Sequence, residues 1–257
     1  MIVIDKLCYY SKLRYVNVCE KFLYALITLL FCVISRSVLI AVLVFIANGI
    51  LTVRKGGIPL SRYGRLMMLP LVFRLLSTAA IIVNFSKVPL DAYAIPIGNF
   101  YITGSRASLV FGSQLILTAL ASVSCLYFLS LSTPMTDILT VLRKLRCPEI
   151  VIELMMLIYR FIFVLTAIAS DMSTAQNCRL GNRDFRTSCK SFGALGSTLF
   201  IRAMKKSNAL FDAMESRCYD GTIHVLTENY PPKKNEITAI VLFELLLLAI
   251  TVWRFVI

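Results

Sequence analysis

The sequence predicts an all-α, polytopic membrane protein with about five transmembrane helices and a cytoplasmic segment of amphipathic helices. Of its 257 residues, 58% are hydrophobic and 16% are charged, whereas a water-soluble domain carries roughly a quarter charged residues. Several apolar runs approach or exceed the ~20 residues that a helix needs to cross the hydrocarbon. We divide the chain into residues 1–132, the leader and four spans; residues 133–235, the cytoplasmic segment; and residues 236–257, the last span.

The first apolar region, residues 20–53, is interrupted at Ser35-Arg36-Ser37. Because an arginine at mid-bilayer is costly, we predict a hairpin of two spans that turns at Arg36. The loop at residues 54–62 combines glycine, proline and positive charge and is predicted to be cytoplasmic. The leader before these spans is polar, and no small-residue cleavage site follows, so a cytoplasmic N-terminus is expected rather than a signal peptide.

The third span is predicted at about residues 63–85, with a kink at Pro70 and an intramembrane charge at Arg74. Residues 86–107 have low charge and are predicted to form an outer loop or a shallow re-entrant element. The fourth span, residues 108–131, is rich in small residues that allow membrane helices to pack closely. They are Gly112, Ser113, Ala119, Ala121, Ser122 and Ser124.

The central segment predicts three helical stretches. The first, residues 135–146, is amphipathic, and the second, residues 149–170, is apolar but contains Glu153 and Arg160. We favour a helix at or dipping into the inner interface for the second stretch. A true crossing is the alternative, and it would move the C-terminus to the cytoplasm. The third stretch, residues 197–219, has clear helical periodicity and is predicted to stop at Gly221.

The last span, residues 237–257, places the C-terminus outside and carries an intramembrane acid, Glu244, which needs a partner. Together with Arg74, Glu153 and Arg160, it forms a predicted set of intramembrane polar residues. Acids are few in the spans, so helix pairing is favoured over a transport path for these side chains.

Catalytic, metal and cofactor sites are not expected. The glycine-containing stretches lack the Gly-Lys of a nucleotide-binding loop, and the single histidine, His224, has no neighbouring acid or cysteine in sequence. The eight cysteines form no C-x-x-C pair and are expected to be free thiols. The net charge of +13 is scattered among helices, which favours contact with the lipid bilayer and argues against nucleic acid as a partner.

Two short blocks of the central segment share a pattern, an alanine followed four residues later by an arginine. A glycine follows the arginine after two residues in the first block and after four in the second. The first contains Ala175, Arg179 and Gly181, and the second contains Ala213, Arg217 and Gly221. An arginine near a helix C-terminus often complements the helix dipole. The recurrence of the pattern in the one large cytoplasmic segment also suits bidentate binding to carboxylates of a partner.

Several landmarks resemble the transmembrane T component of energy-coupling-factor importers, in particular its cobalt-type CbiQ group. The landmarks are Ile4-Asp5-Lys6, Lys12-Leu13-Arg14, Glu20-Lys21, Gly57-Ile58-Pro59-Leu60, Ser132-Thr133-Pro134-Met135, Leu142-Arg143-Lys144-Leu145-Arg146-Cys147-Pro148, Ile152-Glu153-Leu154 and Ile158-Tyr159-Arg160-Phe161-Ile162. In that family, two Ala-Arg-Gly motifs dock into two ABC-type ATPase subunits. The matching triplets here are Cys178-Arg179-Leu180 and Ser216-Arg217-Cys218, which keep the arginine and lose the flanking alanine and glycine.

The resemblance implies a non-catalytic coupling subunit of the cytoplasmic membrane, with N-terminus and residues 133–235 inside. It also implies a membrane partner, the substrate-binding S component, which holds the ligands for cobalt or another transition metal ion. The alternative from the residues alone is a self-sufficient channel or carrier that uses Arg74, Glu153 and Glu244 as a polar path. A membrane enzyme ranks last, because no nucleophile and base are paired in the sequence.

Overall fold

The computed structural model describes residues 3–82, 84–86, 93–97, 100–104, 106–221, 223 and 230–256. The chain divides into two compact units. We call residues 2–134 with 229–257 the bundle unit and residues 135–228 the hairpin unit. His224 and parts of the predicted outer loop, including Lys87, Pro89 and Gly98, lie outside the described residues.

The helices of the described residues follow in chain order. They are α1 (Val3–Tyr10), a 3-10 turn (Lys12–Tyr15), α2 (Val18–Ser35), α3 (Val38–Ile50) with a π-helical extension (Leu51–Lys55), α4 (Leu60–Ile82), α5 (Arg106–Ser132), α6 (Met135–Lys144), α7 (Glu149–Cys178), α8 (Phe185–Glu215) and α9 (Lys234–Val256). The strands are β1 (Asn84–Ser86), β2 (Tyr93–Ile97) and β3 (Phe100–Gly104). Apart from these three short strands the described elements are helices, and five of the helices could cross a membrane, so the all-α, polytopic class predicted from the sequence is confirmed.

The predicted hairpin at Arg36 is confirmed. α2 ends at Ser35, and Arg36 adopts the left-handed conformation with φ 44°. Ser37 is extended, and α3 begins at the next residue. The chain therefore reverses within two residues, and the start of α2 and the end of α3 lie at the same end of the bundle unit.

The core of the bundle unit is built around α5. Its residues Ala121, Cys125, Phe128 and Leu131 are buried at helical spacing, so they lie on one face. Ala121 and Cys125 pack with residues of α2, α3 and α9, including Cys32, Val44 and Leu247. Among the small residues predicted to allow close packing, Ala121 and Ser124 are fully buried.

Buried polar groups of this core are hydrogen-bonded across helices. Asn48 of α3 accepts from Tyr24 Oη at 3.0 Å and donates to Ser124 Oγ at 3.2 Å and Cys125 Sγ at 3.1 Å. The buried Lys21 of α2 donates through Nζ to the carbonyl oxygens of Leu13 at 3.0 Å and Ser132 at 3.1 Å. These bonds fix the register of α2 against α3 and α5, because an unpaired polar group in an apolar core is costly.

The region after α4 departs from the prediction of a helix to Phe85 followed by an outer loop. α4 ends at Ile82, with Pro70 inside it. Phe85 lies instead in β1, and β1, β3 and β2 form an antiparallel sheet in that order. The aromatic and β-branched residues of β3 favour strands. The prediction of a loop relied on the low charge of the stretch and overlooked this preference.

The hairpin unit contains longer helices than the sequence predicts. α7 continues past residue 170 to Cys178, and α8 begins at Phe185 rather than near residue 197. Two glycines, Gly193 and Gly196, weaken the helical pattern before residue 197, but the helix continues through both of them. Each glycine costs the helix about 1 kcal/mol in propensity. A Cβ at either position would meet nothing within 4 Å, so packing does not require glycine there.

Five helices of the described residues are long and apolar enough to cross a membrane. They are Val18–Ser35, Val38–Lys55, Val110–Ser132, Glu149–Cys178 and Lys234–Trp253. The fourth is α7, whose length and composition would allow a crossing. The interfacial position favoured from the sequence, with a crossing as its alternative, stays a prediction. The span over α4 stays a prediction.

Candidate docking site

The first predicted arginine, Arg179, lies where α7 ends and the chain reverses. The next residue, Leu180, has φ 57°, in the left-handed region. Leu180 N donates to Asn177 O at 3.1 Å, and Gly181 N donates to Gln176 O at 2.8 Å. This pair of bonds is the Schellman motif, so Arg179 is the last residue before the reversal and its side chain is exposed.

The second arginine, Arg217, has the same local geometry at the end of α8. Cys218 has φ 58°, Cys218 N donates to Glu215 O at 2.9 Å, and Tyr219 N donates to Met214 O at 3.1 Å. Arg217 is exposed as well. The two blocks recognised in the sequence therefore fold into two equivalent helix ends, each with an arginine immediately before a left-handed residue.

The alanines and glycines of the two blocks differ in their roles. Ala175 and Ala213 are both exposed, one turn before their arginines. A Cβ on Gly181 would lie 2.9 Å from Gln176 O and 2.9 Å from Ser191 Oγ, so this glycine allows α8 to pack against the end of α7. Gly221 has φ 93° and open space around it.

The prediction that Gly221 stops the third helix is wrong. α8 ends at Glu215, and the left-handed residue that closes its Schellman motif is Cys218. The sequence favours Gly221 because glycine is the usual residue at such positions. Here a residue with a side chain takes that conformation, and Gly221 bends the chain further along.

Hydrogen bonds join α7 and α8 near Arg179. Gln176 Nε2 donates to Ser191 O at 2.9 Å, and Ser191 Oγ donates to Gly181 O at 2.8 Å. The first bond joins the last turn of α7 to the second turn of α8, and the second joins α8 to Gly181 in the connection between the two helices. They hold the first arginine-bearing end against the helix that carries the second.

Glu153 makes a second connection at the other end of the helix pair. It is 8% exposed, and its carboxylate accepts from Tyr219 Oη at 2.8 Å and from Ile223 N at 2.9 Å. This hydrogen bond to Glu153 raises the pKa of Tyr219 above its ordinary value of 10.0. Glu153 near the start of α7 thus holds the chain just after Arg217, which makes α7 and α8 antiparallel.

The other predicted polar residues do not share this arrangement. Arg160 is exposed on α7, two turns after Glu153. In the bundle unit, Arg74 Nε and both carboxylate oxygens of Glu244 are shielded from solvent and have no hydrogen-bond partner among the described residues. The partner that Glu244 is predicted to need is therefore not found in the described part of its own unit.

Sequence reasoning missed Tyr219 and the two left-handed residues, Leu180 and Cys218. The signal for the latter was present, since both directly follow the arginines of two similar blocks. Tyr219 carried no such signal, because its partner Glu153 is far away in sequence. Among the described residues, no three His, Cys, Asp or Glu side chains are grouped to hold a metal ion, and all eight cysteines are free thiols.

These features define the class of the protein: a multi-pass helical membrane protein in which a pair of long helices presents two equivalent arginine-bearing ends. The family model of CbiQ, described as a cobalt transport protein, matches residues 11–228. The chain belongs to the CbiQ family of cobalt transport proteins.

Individual relatives agree with this assignment. An uncharacterized protein of Methanocaldococcus jannaschii is 35% identical over 246 residues, covering 96% of this chain and 91% of the relative. The cobalt transport protein CbiQ of Salmonella typhimurium is 26% identical, covering 86% of this chain and 99% of its own length. A putative fused cobalt transport protein CbiMQ of Methanocorpusculum labreanum is 40% identical over 62% of this chain and 26% of its own length.

Proposed function

We propose that this chain is the transmembrane coupling subunit of an ATP-driven importer for cobalt or another transition metal ion. It transmits movement from two ABC-type ATPase subunits to a substrate-binding S component in the membrane. The ATPases supply the catalysis, and the chain itself holds no nucleotide or ion. The observation that carries the proposal is the pair of equivalent, exposed helix ends at Arg179 and Arg217.

The local geometry suits two copies of one partner. Equivalent backbone turns present the two guanidinium groups in the same way, so two identical grooves can accept them. A guanidinium binds a carboxylate through two parallel hydrogen bonds, which fixes orientation as well as position. Ala175 and Ala213, one turn behind, leave room for a partner surface to approach each helix closely.

The antiparallel helix pair separates the two arginines. α8 has 31 residues, so its ends lie on the order of 45 Å apart at 1.5 Å per residue. Arg179 precedes the start of α8 and Arg217 follows its end. The two arginines are therefore spaced to contact two subunits rather than one small site.

Hydrogen bonds at both ends allow α7 and α8 to transmit force together. Gln176 and Ser191 join the helices near Arg179, while Glu153 holds Tyr219 and Ile223 near Arg217. When the ATPases approach or separate on ATP binding and hydrolysis, each arginine moves with the helix pair. The movement then reaches the membrane helices and the S component.

We propose that residues 133–235 and the N-terminus face the cytoplasm and that the chain resides in the cytoplasmic membrane. The supporting observation is charge, with 14 Lys and Arg against 9 acids between residues 133 and 235. The fused CbiMQ relative, most of which lies outside the matched region, supports a function beside another transport component.

The alternative of a self-sufficient channel or carrier is less well supported, because Glu153 is not available for a polar path. A polar path needs Glu153 as an accessible charge, yet both of its oxygens accept hydrogen bonds within the hairpin unit. A coupling role is therefore the better supported function.

Co-purification with the ATPases tests the proposal. Arg179→Ala with Arg217→Ala should leave membrane insertion unchanged and abolish retention of both ATPase subunits. Each single variant should weaken retention by at least about tenfold, since losing one charged partner at an interface costs 2–5 kcal/mol. Arg183→Ala and Arg202→Ala, two exposed arginines of the same unit, are matched controls. Normal retention by the double variant, or equal loss in the controls, contradicts the proposal.

A further inference from the structure

A cavity of about 470 Å³ lies in the bundle unit, between α2, the end of α3, α5 and α9. It has charged and apolar walls. The charged residues are Glu20, Lys21, Lys55 and Glu236, and the apolar ones include Tyr24, Phe128, Ile240 and Phe243. The volume is within the range of 300–1,000 Å³ that is typical of small-molecule sites.

The charged residues lie together at one end of the spans. Glu20 is in the first turn of α2, Glu236 is in the first turn of α9, and Lys55 ends the extension of α3. Because the chain reverses at Arg36, the start of α2 and the end of α3 are neighbours. This end of the spans is the level at which lipid head groups meet a membrane protein.

The apolar wall begins one turn deeper. Tyr24 follows Glu20 by one helical turn, and Ile240 and Phe243 follow Glu236 by about one and two turns. The cavity therefore changes from charged to apolar along the direction in which a lipid changes from head group to acyl chain. A water-soluble ligand of this size gains little from such a gradient.

The carboxylate of Glu20 indicates that the ligand carries a positive charge. Both of its oxygens are shielded from solvent, and neither has a hydrogen-bond partner among the described residues. Its neighbour Lys21 directs Nζ to the carbonyl oxygens of Leu13 and Ser132 instead. A shielded carboxylate is costly without a cation, and a second carboxylate, Glu236, lines the same cavity.

We propose that this cavity binds the head group and the first part of one acyl chain of a phospholipid with a primary-amine head group, of the phosphatidylethanolamine type, while the rest of the lipid lies in the bilayer. Its ammonium lies between Glu20 and Glu236, its phosphate faces the exposed Lys55, and one acyl chain follows the wall formed by Tyr24 and Phe243. An anionic lipid without an amine would bring its charge to two carboxylates. The proposal is independent of the ATPase docking and of the ion carried.

Native mass spectrometry of the full chain, delipidated in detergent, tests this site. We expect one dioleoyl-phosphatidylethanolamine per chain, with an affinity at least about tenfold above that for the phosphatidylglycerol analogue, as one hydrogen bond to a charged group predicts. The phosphatidylcholine analogue should fall between the two. Equal affinity for the ethanolamine and glycerol lipids overturns the proposal.

Glu20→Gln with Glu236→Gln should remove the preference for the ethanolamine lipid, whereas Glu149→Gln, which changes an exposed carboxylate of α7, should preserve it. If the double variant does not insert, Lys55→Gln at an exposed position should lower the affinity several-fold. A preference unchanged in these variants refutes the site. Free phosphoethanolamine that competes as strongly as the lipid would also refute it, because the apolar wall would then have no role.

Discussion

Replacing Leu180 and Cys218 with glycine should slow the local opening of both arginine-bearing helix ends. These residues have φ 57° and 58°, a conformation that costs a residue with a Cβ about 1–2 kcal/mol. Glycine removes that cost, but it also lowers stability by about 0.4–1 kcal/mol, because a glycine makes the unfolded chain more flexible. The net gain is about 0.5–1 kcal/mol per site, which corresponds to a local opening constant about two- to fivefold smaller.

Hydrogen exchange of the purified chain in detergent, followed by mass spectrometry, measures this effect. The informative amides are those of Gly181 and Tyr219, which donate to Gln176 O at 2.8 Å and Met214 O at 3.1 Å. Alanine at positions 180 and 218 keeps the Cβ and should not slow exchange. If the glycine variants exchange as fast as the unmodified chain or faster, the left-handed residues are not a source of strain.

Three other perturbations test the packing of the two units. Gly181→Ala should destabilise the junction of α7 and α8 by about 1–3 kcal/mol and speed hydrogen exchange there, because its Cβ would lie 2.9 Å from a backbone oxygen. Gly193→Ala, where a Cβ has open space, is the control and should not speed hydrogen exchange at this junction. Lys21→Met should cost about 2 kcal/mol or more, because two buried carbonyl groups lose their donor; a melting temperature equal to that of Lys12→Met would contradict this. Since its pKa is raised, Tyr219 stabilises the hairpin unit fully below pH 10.0 and loses this effect as pH rises through its folded pKa. The absorbance of tyrosinate is measured against pH in the unmodified chain and in Tyr219→Phe, and the difference between the two curves reports Tyr219. This difference should appear above pH 10.0, and its appearance at lower pH would refute the hydrogen bond to Glu153.

Much of the bundle unit could be predicted because its signals are local. An arginine between two apolar runs implies a turn, and α2 and α3 meet at Arg36. The start of α8 could not be found in this way, since Gly193 and Gly196 weaken the pattern that the helix nevertheless continues through. The sheet of β1 to β3 was missed although β2 and β3 pair locally, with Ile97 opposite Phe100, because the low charge of the stretch was interpreted as a loop.

The arginine-bearing ends illustrate the same limit at the candidate site. The repeated spacing predicts that Arg179 and Arg217 are alike, and the backbone at both helix ends is alike. The spacing does not reveal which residue takes the left-handed conformation, because glycine is expected there and is found further along the chain. Nor does it reveal that Glu153 holds Tyr219, a contact across 66 residues of sequence.

Cross-linking tests most directly whether the two helix ends hold the ATPases. A photoreactive amino acid at exposed position 175 or 213, one turn behind each arginine, should capture an ATPase subunit in the assembled transporter. The same group at Ala194, exposed about one third of the way along α8, is the matched control and should capture none. Capture from both helix ends and not from Ala194 is the expected result. Absence of ATPase products from positions 175 and 213, or equal capture from Ala194, would contradict the coupling function.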